Sequence, residues 1–90
     1  MEIITDSNKY ELITNHKNGF DKDDFISKCT EYFDDYDYIV GDIAYNKLRL
    51  KGFYESTNPK VKSLNDYKNL DKYLKENCAC ECKYFVLKKI

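Results

Sequence analysis

Three of the four cysteines fall within five residues, at Cys78, Cys80 and Cys82, and the fourth is Cys29. Thiolates ligate zinc or iron and exchange disulfides, so this is the densest concentration of reactive side chains in the chain. Zinc sites want four ligands, often paired as Cys-x2-Cys, whereas the spacing here is Cys-x-Cys-x-Cys. A sharp turn at 78–82 would bring several thiolates to one metal, and Cys29 would close the shell if the first helix packs there. An extended segment would instead set the three on one face at roughly 7 Å Cα spacing, the edge of disulfide geometry. The competing reading is small, buried or half-buried core residues. His16 is the single histidine. It sits in a polar loop with Asn15 and Asn18 and no nucleophile beside it, and reads as a hydrogen-bonded turn residue rather than an acid–base group.

Two charged constellations remain. Asp34, Asp35, Asp37 and Asp42 flank a helix-to-strand junction, where oxygen ligands could hold Mg2+ or Ca2+. EF-hand spacing is absent and tyrosines interrupt the run, so the expectation is a solvated acidic edge. Lys47, Arg49 and Lys51 alternate with Leu48 and Leu50, which puts three bases on one strand face. Tyr45, Phe53 and Tyr54 lie beside them in sequence, with Tyr84 on the last strand. Bases interleaved with rings on a sheet are how many small domains hold single-stranded nucleic acid. The alternative is a solvent-facing strand whose lysines block edge pairing. No phosphate-binding loop, dinucleotide fingerprint, nucleophile elbow or zinc-protease motif occurs. The expectation is a binding protein without enzymatic activity or cofactor.

The elements that must position these residues belong to one small domain of 90 residues, spanning 1–90. Nine Tyr and five Phe with no Trp imply a core filled largely by rings. No apolar run approaches the roughly 20 residues needed to cross a bilayer, and the start resembles no secretory signal. A cytoplasmic location with reduced cysteines is expected. The net charge of −1 conceals a split. Residues 1–45 hold eleven acids and four bases, a net of −7, and residues 46–90 hold eleven bases and five acids, a net of +6. Such a dipole steers partners or draws the two halves together.

Ile3 to Thr5 and Lys9 to Thr14, joined by Asp6-Ser7-Asn8, predict a β-hairpin. Asn18-Gly19 predicts a turn at positive φ. Phe25, Ile26, Cys29, Phe33 and Tyr36 share a helical stripe, predicting a helix from Asp21 to about Asp34 or Asp35 with acids in its first turn. Tyr36 to Val40 reads as a strand broken at Gly41-Asp42, with a second strand over Lys47–Lys51. Ser63 to Asp66 resembles a capping box opening a helix marked by Leu64, Tyr67, Leu70 and Leu74. Lys83 to Lys88 has the β-branched and aromatic content of a strand. The order ββαββαβ predicts an α+β domain, two helices packed on a largely antiparallel five-stranded sheet.

Tyr36-Asp37-Tyr38-Ile39-Val40-Gly41-Asp42, Leu48-Arg49-Leu50-Lys51-Gly52-Phe53 and Tyr84-Phe85-Val86-Leu87-Lys88 together resemble the YutD-like family. Tyr10-Glu11-Leu12-Ile13 and the stretch from Asn15-His16 to Asn18-Gly19-Phe20 resemble its opening. The family comprises small cytoplasmic proteins of Firmicutes, classed as a domain of unknown function. The resemblance implies a compact α+β fold and no assigned activity. Family members often carry two cysteines three residues apart before the last strand, which Cys78 and Cys82 match. Cys80 is extra, and Glu81 stands where Gly is usual. The leading expectation is contact with RNA or a ribonucleoprotein through Lys47, Arg49 and Lys51, with Tyr45, Phe53 or Tyr54 stacking. Two others stand beside it: a protein-interaction adaptor using the acidic helix around Asp23, Asp24, Glu31 and Asp34, and a metal or redox site at Cys29, Cys78, Cys80 and Cys82.

Overall fold

The computed structural model describes residues 1–5, 8–44, 46–77 and 83–90. Five strands form one sheet: β1 (Glu2–Ile4), β2 (Lys9–His16), β3 (Tyr38–Ala44), β4 (Lys47–Phe53) and β5 (Tyr84–Lys89). Two helices join them, α1 (Lys22–Lys28) between β2 and β3, and α2 (Leu70–Asn77) between β4 and β5. The α+β class and the ββαββαβ order match the expectation.

The sheet order is β1-β2-β5-β3-β4, and each neighbouring pair is antiparallel. The last strand therefore lies in the centre. Its Phe85, Val86 and Leu87 are fully buried, as a strand covered on both faces requires. Burying a ring such as that of Phe85 stabilises the fold by about 1.5–3 kcal/mol.

Alternation assigns each residue to a face. Ile3, Tyr10, Ile39, Leu48, Phe85 and Leu87 form one cluster with Phe25 of α1. Tyr38, Val40, Phe53 and Val86 form a second, covered by Leu70, Tyr73 and Leu74 of α2. The two helices thus lie on opposite faces. A register shift between Leu12 and Thr14 lets β2 serve this arrangement: Leu12 pairs with Leu87 and Thr14 with Val86, on opposite faces of β5.

Several boundaries differ from the sequence reading. α1 ends at Lys28 rather than near Asp34. Asp21 caps its start by accepting from the Asp24 amide at 3.1 Å, but Cys29 is already extended at ψ 107°. Thr30 stays extended as well, and a short 3-10 turn (Glu31–Phe33) follows. A β-branched residue and a run of acids give the helix nothing to continue on. β3 runs unbroken through Gly41 and Asp42 to Ala44. Gly41 is there for space rather than as a break: a Cβ would stand 2.1 Å from Cζ of Phe85. α2 starts at Leu70, after 3-10 turns at Ser63–Asn65 and Tyr67–Asn69. Leu64, expected on its apolar stripe, is 82% exposed. In the first loop Lys17 and Asn18 take positive φ, at 57° and 56°, and Gly19 does not.

Candidate functional site

The basic row occupies β4, an edge strand, on the face that α2 covers. Arg49 is opposite Asp42 in the β3–β4 register. Its Nε donates to Asp42 Oδ1 at 3.1 Å and its NH2 nitrogen to Asp42 Oδ2 at 2.6 Å, a bidentate clamp. The Asp42 carboxylate is wholly buried, so the guanidinium is what makes its burial tolerable. Lys51 Nζ lies 5.4 Å from the Phe53 ring centre and 5.5 Å from that of Tyr73, within cation–π range of both. Phe53 is fully buried and Tyr54 is buried, so neither presents a ring face to a base. Lys47 is exposed. Tyr45 lies outside the described residues, as do Cys78, Cys80 and Cys82.

The acidic run does not converge. Asp34 Oδ1 accepts from Asn8 Nδ2 at 2.9 Å. Asp35 meets Lys60 at 3.2 Å on the surface. Asp37 Oδ2 accepts from the Glu55 amide at 2.8 Å and from Asn58 Nδ2 at 3.1 Å, pinning the chain that leaves β4. Asp42 is neither solvated nor at an edge. Among the described residues no three His, Cys, Asp or Glu side chains gather where a metal ion could sit. His16 ends β2 rather than lying in the loop: its ring stacks on Tyr84, ring centres 4.8 Å apart, and its backbone carbonyl accepts from the Gly19 amide. Burial, and after it the nearby Asp34, pushes the Cys29 thiol up, away from the depressed values of reactive cysteines.

One surface gathers exposed apolar side chains beside a groove. A groove of about 650 Å³ opens between the outer end of β1 and the segment that follows α1. Its walls include Ile4, Ile26 and Tyr32, and its lining carries Cys29, Glu31 and Asp34. Ile4 is 66% exposed, Ile26 41% and Tyr32 69%. These are three of the seven large apolar side chains exposed among the described residues, gathered at one place. Tyr32 is held by Phe33, edge to face at 5.0 Å between ring centres, and by the Tyr36 hydroxyl, which donates to its oxygen at 3.2 Å. An aromatic anchor of fixed geometry costs little entropy to bury. Asp23 and Asp24 of α1 are also exposed, so the expected acidic-helix residues are solvent-facing, with Glu31 and Asp34 in the groove itself. Sequence reasoning missed Ile4, Ile26 and Tyr32 as a group, because they come from three separate elements. A second groove, about 340 Å³, is lined by Lys51, Leu64, Lys72 and Tyr73.

The groove and the β4 row are both carried by one small α+β sheet domain. The chain belongs to the YutD-like family: the family described as "Putative antitoxin YutD-like" matches residues 4–88. It is similar to the "Putative antitoxin YutD" of Bacillus subtilis (strain 168), 41% identical over 88 residues that span 98% of this chain and 97% of the relative. The solution NMR structure of protein yutD from B. subtilis superposes with a TM-score of 0.84 at 40% identity, covering all of this chain and 82% of that one. Among the described residues no helix is long and apolar enough to cross a membrane.

Proposed function

We infer that this protein is a non-enzymatic binding module that engages a partner protein through the groove between β1 and the 3-10 turn after α1. The observation that carries this reading is the gathering of Ile4, Ile26 and Tyr32, half to mostly exposed, around a cleft rimmed by carboxylates. Apolar anchors inside a charged rim are the anatomy of a protein interface. The family description supports it, since an antitoxin implies a toxin as its target.

The geometry gives less to an RNA partner. Of the row Lys47, Arg49 and Lys51, two members are engaged within the fold, and the rings of Phe53 and Tyr54 are buried.

Affinity isolation from a nuclease-treated lysate, with the wild-type chain and a Tyr32→Asp variant, separates the two. A partner protein retained after nuclease and lost with Tyr32→Asp is the expected result. A partner lost with nuclease but indifferent to Tyr32→Asp would return the argument to β4.

A further inference from the structure

We propose that the occupant of this groove is an extended segment of the partner protein, which adds as a strand to the open edge of β1 and seats a lysine or arginine against Glu31 and Asp34. The proposal rests on the groove being the docking face and specifies how that face is used.

The hydrogen-bond ladder shows which backbone groups are available. β1 ends the sheet order, with β2 its only neighbour. Met1 accepts from the Leu12 amide and the Thr5 amide donates to Asn8, so the odd-numbered residues of this strand bond inward. By the alternation of an antiparallel ladder, the N–H and C=O of Glu2 and Ile4 point outward. Four backbone groups are presented there, and Ile4 and Thr5 at the end of that edge also line the groove. A strand laid along β1 would satisfy those groups and point its side chains by turns to the Ile4 face and to the α1 face, where Ile26 and Tyr32 lie.

The charge of the incoming segment follows from the lining, which among the described residues holds two carboxylates, Glu31 and Asp34, and no base, Lys89 reaching only the Asp34 carbonyl. The other sheet edge, β4, presents no acidic lining of this kind among the described residues: Arg49 there neutralises Asp42 and Lys47 is exposed. A buried polar group lies near the groove. The Tyr10 hydroxyl is fully buried and, among the described residues, has no hydrogen-bond partner. The neighbouring Asn8 Nδ2 donates to Asp34 Oδ1 with one of its two hydrogens and also bears on the Tyr10 hydroxyl. The Tyr10 hydroxyl lies in the field of Cys29 and Asp34, both of which line the groove.

The test is selection of random twelve-residue peptides displayed on phage against the full chain, with an Ile26→Asp variant as the counter-selection. Enriched peptides are then titrated into labelled protein. The expected result is Lys or Arg alternating with β-branched residues, with the Glu2 and Ile4 amides protected from exchange on binding. Glu31→Lys should weaken the enriched peptide at least tenfold. Glu2→Pro, which removes one outward donor and leaves the inward bonds of Ile3 and Thr5, should weaken it at least threefold. No enrichment, or binding indifferent to Ile26→Asp, would overturn the groove as a docking face and the proposal with it. Binding at the groove by a helical or acidic peptide, with the Glu2 and Ile4 amides still exchanging, would overturn strand addition alone. Self-association of the chain that buries the groove would make a second copy the occupant and also overturn it.

Discussion

Asp42 and Arg49 face each other across β3 and β4, and both carboxylate oxygens are taken by one guanidinium, at 3.1 and 2.6 Å. The middle residue of what reads as a cationic stripe thus neutralises a buried acid. Removing Arg49 leaves that acid uncompensated. Breaking a buried pair costs about 3–5 kcal/mol, and because the Arg49 side chain is 47% exposed the lower end applies. Arg49→Leu should lower stability by about 3 kcal/mol in urea titration, and Arg49→Glu should lower it further. The double variant Asp42→Asn with Arg49→Leu should recover part of the loss. A melting temperature unchanged by Arg49→Glu would mean that the clamp does not hold in solution.

Gly41 gives a second prediction. Its missing Cβ makes room for the Phe85 ring, whose Cζ would stand at 2.1 Å from it. Gly41→Ala forces that fully buried ring out of place, at a cost of about 1–3 kcal/mol. Shortening the ring should relieve the clash, so Gly41→Ala with Phe85→Leu should be less destabilised than the sum of the single changes. Strict additivity would show that the two residues do not compete for space.

Tyr10 makes alkaline pH a probe of the core. Burial first, then the fields of Cys29 and Asp34, push its hydroxyl from 10.0 up to about 12. A group whose pKa is raised on folding binds its proton more tightly in the native state, so its contribution is complete below pH 10 and is lost as pH climbs toward 12. Stability should fall across that window, and Tyr10→Phe should flatten the fall. At neutral pH Tyr10→Phe should be neutral or stabilising by up to about 1 kcal/mol, because it deletes a buried hydroxyl that has no close hydrogen-bond partner among the described residues. A loss of stability at pH 7 would reveal a hydrogen bond to that oxygen.

The groove residues should behave in the opposite way. Ile26→Asp and Tyr32→Asp each change an exposed side chain, so stability should move by less than about 1 kcal/mol. Affinity for the partner protein should drop at least about tenfold, or 1.4 kcal/mol, for each. Calorimetric titration beside a thermal melt reads both quantities. Large unfolding in either variant would mark the residue as part of the core.

Element types and their order were legible because their signals are local. Leu48 and Leu50 alternate with charge, and Lys83 to Lys88 is strand-like in composition. The strand order was not, because nothing local says that the last strand inserts between β2 and β3. That placement decides the meaning of the polar face of β4. Alternation of Leu with Lys and Arg suggests one buried and one open face, yet α2 packs on the second, and Asp42 and Tyr73 meet the bases there. Asp42 itself read as the break in a strand, since Gly41-Asp42 looks like a turn until Phe85 is seen to need the space. The acidic residues Asp23, Asp24, Glu31 and Asp34 were legible as a surface. Their apolar companions Ile4, Ile26 and Tyr32 are assembled by tertiary structure alone.

The central claim is that the cleft formed by Ile4, Ile26 and Tyr32 holds a protein. The most direct measurement is an amide NMR titration of labelled chain with the captured partner, followed by a mixed RNA pool at low and physiological salt. Shifts clustered at Ile4, Ile26 and Thr30 to Asp34 with the protein, and none on residues 46–54 with RNA, are predicted. Saturable, salt-sensitive shifts on 46–54 with RNA, and a groove silent to the protein, would contradict the account.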